Sequence, residues 1–294
     1  MDNGMKWRVG EIEISRIPEF TVPMFEPFFI YPDLAPDALE RHRRWLEPAL
    51  LDPATGRLVI SIQSFVVRTR RHNILVDACS GNDKERPSRP FFHRQQRPWL
   101  ERLAAAGFKP EEIDVVLCTH LHIDHVGWNT RLVDGSWVPT FPRARYLITA
   151  AEWDHWKDEA KRKAYSTDEH IEDSVLPVVQ SGQVDFVTMD HRIDDDAWLE
   201  PTPGHTPGHV ALRVRSGGHE AVMSGDLMHT AIQCAEPQIS SCFCVDKGLS
   251  ARTRQSFLER AVERSALVLP AHFPTPSGGF VEPQGSGFRF RFEP

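Results

Sequence analysis

Apolar positions at Val9, Ile12 and Ile14, broken by polar neighbours and stopped by Pro18, predict an early strand. The next stretch, 18–53, carries prolines and the aromatics Phe20, Phe25, Phe28, Phe29, Tyr31 and Trp45 without a clean period. It reads either as a loop packed on the core or as a segment covering a pocket. The β-rich runs 58–62 and 65–67, a basic turn, and the run 73–77 predict a hairpin feeding a central sheet. The polar stretch 78–97, with Gly81, Pro87 and Pro90 as breakers, predicts a surface loop. Helical spacing over 99–106 ends at Gly107, a suitable C′ glycine. Short apolar runs at 115–118 and 146–148 predict buried strands. A helix is expected over 152–163, with Trp153 and Trp156 on one side.

The second half repeats this style, with strands at 185–188, 198–200, 210–214 and 221–224, a helix at 251–264 and an apolar strand at 266–269. Two runs of strands, each followed by helices, predict an α/β sandwich of sheets with helices outside. No residue-level repeat supports the symmetry.

With 294 residues and 40% hydrophobic content, the chain can bury a large core. No low-complexity linker divides it, so 1–294 reads as a single domain with embellishments. The net charge is −7 with both signs mixed, and no long Lys/Arg run is present, which argues against a nucleic-acid partner. The short basic clusters 41–44 and 68–71 read as solvated patches. The first residues lack the apolar stretch of a signal peptide and no segment could span a bilayer, so a cytoplasmic protein without a membrane partner is expected. Five cysteines fit reduced thiols better than a disulfide framework.

The candidate chemistry begins at Thr119-His120-Leu121-His122-Ile123-Asp124-His125, directly after an apolar strand. Three imidazoles and a carboxylate in six positions are costly in a core and idle on a surface, whereas borderline divalent metals prefer these ligands. Residues i and i+2 at a strand end can point the same way, and the following turn can swing Asp124 and His125 towards a second ion. Further ligands are available at His205, on the Pro- and Gly-stiffened turn 202–208, at Asp226 after the strand 221–223, and at His272 after 267–269. Each is weak evidence singly. As a set they supply what the first cluster lacks, on rigid elements as accurate coordination requires. Cys234, Cys242 and Cys244 could hold a third metal, but three soft ligands alone fit free thiols near the active site better.

With these motifs in this order, the chain resembles the metallo-β-lactamase fold superfamily over most of its length. The resemblance implies a four-layer αββα sandwich with two metal ions at one edge of the sheets. It implies that His120, His122 and His205 hold the first ion, that Asp124, His125 and His272 hold the second, and that Asp226 bridges both. Asp77 and His209 would orient ligands. Zinc is the expected metal, with Mn²⁺, Co²⁺ or Fe²⁺ accepted by the same donors. Val126-Gly127-Trp128-Asn129-Thr130 and Gly225-Asp226-Leu227-Met228-His229 are similar to the branch of quorum-quenching lactonases and methyl-parathion-type hydrolases. One departure is His229, where lactonases of this type often carry Tyr. An imidazole can also donate a hydrogen bond to a substrate oxygen, and the plainer reading is a His without substrate contact.

The function this implies is hydrolysis of a small lactone or carboxylic ester by a hydroxide bridging two metals, with Asp124 as proton shuttle and His229 beside the substrate. The alternative is phosphotriester or aryl-ester hydrolysis on the same site. β-Lactam hydrolysis ranks lower because no export signal is seen. Iron-dependent persulfide oxidation ranks lower because it does not need Asp124, His125 and His272 together. A non-catalytic binding module would have lost a ligand, and none is lost. A monomer and a homodimer are both open.

Overall fold

The computed structural model describes residues 4–293. The first sheet contains β1 (Lys6–Val9), β2 (Ile12–Phe25), β3 (Leu58–Arg68), β4 (Asn73–Val76) and β5 (Val115–Leu117). A separate ribbon of β6 (Thr130–Val133) and β7 (Ser136–Pro139) follows, and the sheet is then completed by β8 (Arg145–Thr149) and β9 (Val184–Val187). Its order is β1-β2-β3-β4-β5-β8-β9, antiparallel as far as β4 and parallel from there on. The second sheet runs β10 (Ala197–Pro201), β11 (Val210–Ser216), β12 (His219–Met223), β13 (Leu267–Leu269), β14 (Gly279–Gln284) and β15 (Gly287–Phe292) in that order. Its β12 and β13 are parallel and its other pairs antiparallel.

The helices are α1 (Pro27–Ile30), α2 (Pro36–Leu46), α3 (Trp99–Ala105), α4 (Ala150–Trp156), α5 (Glu159–Tyr165), α6 (His170–Ser174), α7 (Leu176–Gln180), α8 (Ile232–Ala235) and α9 (Lys247–Glu263). None is long and apolar enough to cross a membrane.

Three buried clusters define the layers. Between the sheets, Val67, Val76, Leu117 and Leu147 meet Leu199, Leu212, Val214 and Met223. Outside the first sheet, Val66, Leu75, Val116 and Tyr146 pack with Trp99, Leu103, Ile171 and Val178. Outside the second, Ala211, Val222 and Val268 pack with Phe257, Leu258 and Ala261 of α9 and with Leu39 and Leu46 of α2. Val66 and Val67 fall in different cores, as the strand period of two requires. The result is the expected αββα sandwich. Its central strands are buried on both faces, which is why 115–117 reads as an unbroken apolar run.

The structure departs from the sequence expectations at four places. The early strand does not stop at Pro18: β2 runs on to Phe25, with register shifts beside Pro18 and Pro23. Beyond Arg16, whose N–H donates to Met5 O at 2.9 Å, its outer edge has no strand partner among the described residues, and an edge position tolerates a residue without an N–H. The helix expected over 152–163 is two helices, because Asp158 accepts from Ala160 N at 2.9 Å and starts α5 afresh. The stretch 78–97 is not simply a surface loop, since Lys84 and Arg86 are wholly buried. Arg86 makes a bidentate pair with Asp173, both contacts at 2.7 Å, and Lys84 Nζ donates to Thr130 Oγ1 at 2.6 Å. The helix placed at 251–264 begins at Lys247, where the Asp246 side chain accepts from Leu249 N at 2.8 Å.

Candidate metal centre

Strand ends deliver the candidate ligands to one edge of the sandwich. The chain leaves β4 at Asp77, whose N–H donates to Leu117 O at 2.9 Å. Asp77 then receives Thr119 N at 2.8 Å on Oδ1, tying the start of the His120–His125 loop to the neighbouring strand. Val210 N donates to Thr119 O at 3.0 Å, which brings the His205 turn of the second sheet against that loop. Asp226 follows β12, and Ser224 N donates to Leu269 O at 3.2 Å, fixing it beside the end of β13 and hence His272. His272 closes onto β3 by two bonds with Ser61: Ser61 N to His272 O at 3.0 Å and His272 Nδ1 to Ser61 O at 2.9 Å.

All seven sequence-predicted ligands converge there in two sets. His120, His122, His205 and Asp226 form one, and Asp124, His125 and His272 the other, each with donor atoms within 4.8 Å of one another. Asp226 divides its oxygens between them. Oδ2 lies 3.2 Å from His205 Nε2 and 3.7 Å from His120 Nε2, while Oδ1 lies 2.8 Å from His272 Nε2 and 3.1 Å from His125 Nε2. Asp124 Oδ2 is 3.6 Å from His272 Nε2. His229 also reaches Asp226, with Nε2 3.2 Å from Oδ2.

The residues fit a metal centre on two observations. Buried His120 Nε2, His125 Nε2 and Asp226 Oδ1 have no aligned hydrogen-bond partner despite these short approaches. Orphaned buried polar atoms are costly unless something else binds them. In addition, His205 Nε2 and His122 Nδ1 face each other at 2.8 Å, so two ring nitrogens converge on one point.

The outward nitrogens are held by neighbours. His125 Nδ1 donates to Asp77 Oδ2 at 2.8 Å, and His120 Nδ1 pairs with Thr119 Oγ1 at 3.1 Å. Asp77 thus orients a candidate ligand, as the sequence suggested. His209 is not a member of either set: its Nδ1 donates to Thr202 O at 3.1 Å and its Nε2 accepts Asp226 N–H at 3.0 Å. Gly225, at φ +51°, is required here, because a Cβ would lie 2.7 Å from His209 Nε2. A further clamp is Glu152, which sequence reasoning placed only as a helix start. It accepts from Leu121 N at 3.0 Å, Trp156 Nε1 at 2.6 Å and Gly208 N at 3.0 Å, joining the two ligand loops.

Burial holds His120 and His122 well below the usual histidine range. Burial also opposes charge on His125, but Asp226, Asp77 and Asp124 outweigh it and hold His125 well above that range. Asp226 is held well below the carboxylate range, its burial overcome by His125, His272, His229 and His120. His229 is pulled down to about 4, chiefly by burial, and is therefore neutral at pH 7.

The centre opens into a cavity of about 360 Å³. Asp124, Asp226, His122, His229 and His272 line its polar part, and Met24, Phe25, Phe29, Ile60, Phe91, Phe92 and Phe243 its apolar walls. Tyr165 stacks on His122 at 4.4 Å between ring centroids, and Arg89 lies over Tyr165. The stretch 18–53 divides its side chains. Met24, Phe25 and Phe29 line the cavity, while Ile30, Tyr31, Leu34, Leu39 and Leu46 are buried in the outer core of the second sheet. Among the described residues neither metal-capable set contains a cysteine: Cys234 is buried against Met228, Cys242 is exposed, and Cys244 faces His205.

Two stacked sheets, helices on both outer faces and, where strand ends meet, a His/Asp cluster suited to binding metal define the class of fold and site. The metallo-beta-lactamase superfamily model matches residues 58–272, and the chain belongs to that superfamily. Among curated relatives, it is 26% identical over 114 residues to an N-acyl homoserine lactonase of Bacillus sp, covering 39% of this chain and 38% of that protein. It is 24% identical over 180 residues to the N-acyl homoserine lactonase AttM of Rhizobium radiobacter, covering 60% and 64% respectively. The chain thus matches between about a third and two thirds of the length of these relatives. In fold it is similar to the hydrolase AbOPH of the beta lactamase superfamily, at TM-score 0.83, 23% identity and coverage of 100% and 99%. It is likewise similar to AidC, a dizinc quorum-quenching lactonase solved with its product, at TM-score 0.78, 21% identity and coverage of 99% and 98%.

Proposed function

We propose that this protein is a dinuclear metal-dependent hydrolase that opens a lactone or cleaves a carboxylic ester. In this reading His120, His122 and His205 hold one divalent ion, Asp124, His125 and His272 hold the other, and zinc is the preferred metal. The observation that carries it is the partition of Asp226, which turns one oxygen towards each set and so stands between them. Similarity to N-acyl homoserine lactonases supports the substrate class.

When bound, two such ions supply Lewis acidity and make a water acidic enough to ionise near neutral pH. The chain's own residues do the rest. Asp124 lines the cavity and is the more exposed of the two ligand carboxylates, with 18% of its side chain open against 4% for Asp226. From there its Oδ atoms take up the proton of the attacking water and return it to the leaving oxygen. Neutral His229 lines the cavity, and in this reading its single ring N–H is the donor offered to the substrate carbonyl. Met24, Phe25 and Phe29 of the 18–53 segment, with Phe243, wall and partly cover the apolar end, where an acyl or aryl group is desolvated.

The aromatic character of that wall favours a second reading, hydrolysis of aryl esters or aryl phosphotriesters. Phe25 and Phe243 lie 5.5 Å apart and Phe25 stacks on Phe29 at 6.0 Å.

The test is metal analysis followed by turnover of acyl-homoserine lactones, aryl esters, an aryl phosphotriester and a chromogenic cephalosporin. Two metals per chain with chelator-sensitive lactone turnover is the expected result. Turnover confined to the aryl substrates would replace the leading reading by the second. Asp124→Asn with both metals and full activity would remove the proton-shuttle role.

A further inference from the structure

Three candidate ligands have their outward ring nitrogen paired with oxygen: His125 with Asp77, His272 with Ser61 and His120 with Thr119. His205 differs. Its Nδ1 lies 3.4 Å from Sγ of Cys244, and no other hydrogen-bond partner reaches that nitrogen among the described residues.

The main chain creates this pairing. Val245 N donates to His205 O at 2.8 Å and Asp246 N donates to Gly204 O at 2.9 Å, so the short segment between Cys244 and α9 is laced to the ligand turn. Gly204, at φ +130°, lets that turn pack on the start of α9, where a Cβ would lie 2.3 Å from Ser250 N. The sulfur is then held by two hydroxyls, Ser241 Oγ and Ser250 Oγ, each at 3.5 Å. The preceding residue, Phe243, lines the cavity.

We propose that Cys244 is the positioning residue for His205: its sulfur accepts the Nδ1–H and so fixes the tautomer and ring angle that aim Nε2 at Asp226 and His122. The inference rests on the reading of His205 as a metal ligand. Groups that hold the far nitrogen of a ligating imidazole commonly change metal affinity by about 10- to 100-fold when removed. A thiol is a weak acceptor, so it has to be placed by its surroundings, and the two serines and the backbone lacing do that.

The experiment compares full-length wild type, Cys244→Ala, Cys244→Ser and Cys242→Ser, each loaded with zinc and titrated with a competing chelator. Metal per chain and the unfolding midpoint of the metal-free proteins are read in parallel. Cys244→Ala is expected to release one ion about 10- to 100-fold more readily while the other ion and the metal-free midpoint stay as in wild type. Cys244→Ser should recover part of the loss, because a hydroxyl can accept the same proton. Cys242→Ser, at an exposed thiol, should match wild type. Cys244→Ala holding both ions like wild type would overturn the inference and leave the metal centre standing. Equal weakening of both ions with a lowered metal-free midpoint would also overturn it, in favour of packing alone. A wild type that binds no zinc would remove the metal-centre reading itself, and this inference with it.

Discussion

The ring of His209 lies behind Asp226 and accepts its backbone N–H at 3.0 Å. With Nδ1 committed to Thr202 O, Nε2 is left as the acceptor, and the carboxylate that divides itself between the two ligand sets is anchored through its own main chain. His209→Ala would leave a buried N–H without an acceptor and open a cavity beside Gly225. The expected cost is about 1–3 kcal/mol for the unsatisfied donor alone, measured by urea unfolding of the metal-free protein. A loss below a few tenths would mean that water replaces the ring.

Glu152 sits under both ligand loops with three donors on its carboxylate. In Glu152→Gln an amide NH₂ must face at least one of those donors. Hydrogen bonds to a charged group are worth about 1.5–3 kcal/mol, so the variant should lose at least about 2 kcal/mol and bind metal more weakly. An unchanged unfolding midpoint would show that the loops are held by other contacts.

Lys84 provides a pH signature remote from the ligands. Burial pulls its ammonium down to about 7, against the support of Asp173, and Arg86 adds to the depression. The ammonium also lies 3.5 Å from the centre of the Trp137 ring. Between about 7 and 10.5 the unfolded chain binds this proton and the folded protein does not. Lys84 therefore makes stability rise with pH across that window, with the whole burden of the buried charge present below it. Its slope is at most about 1.4 kcal/mol per pH unit. Lys84→Met should flatten the profile, seen by comparing unfolding curves of the two proteins between pH 7 and pH 9. Parallel profiles would place the titration elsewhere.

His229 has its backbone N–H held by Gln233 Oε1 at 2.7 Å, and Tyr31 OH donates to the same oxygen at 3.0 Å. The ring is thus presented to the cavity by a fixed main chain. His229→Phe keeps a flat aromatic ring on the cavity wall and removes the N–H. A fall in kcat of about tenfold or more, equal to about 1.4 kcal/mol, is expected with metal content unchanged. Unaltered kcat would leave His229 a wall residue only.

The candidate ligands and most strands were legible locally. His120, His122, Asp124 and His125 stand together after an apolar run, and His205, Asp226 and His272 each follow a recognisable strand or stiffened turn. Ligands sit at strand ends because rigid elements must hold them, and these strands leave short apolar runs followed by a turn. The C-terminal hairpin of β14 and β15, α2 within 18–53, and the break between α4 and α5 were not legible. Pro283 interrupts the pattern of β14, α2 is a mostly polar helix inside a proline-rich stretch, and a single capping aspartate divides α4 from α5, so none leaves such a signature.

By itself the sequence determined which residue types could hold metal, and where along the chain each would be delivered. Only the tertiary structure decided that Asp226 turns one oxygen to each set, that Glu152 and His209 stand behind the ligands, and that Cys244 meets His205. It also decided that Lys84 and Arg86 are buried rather than solvated. These relationships join residues far apart in the chain through contacts between loops, and such contacts leave no periodic trace in the sequence.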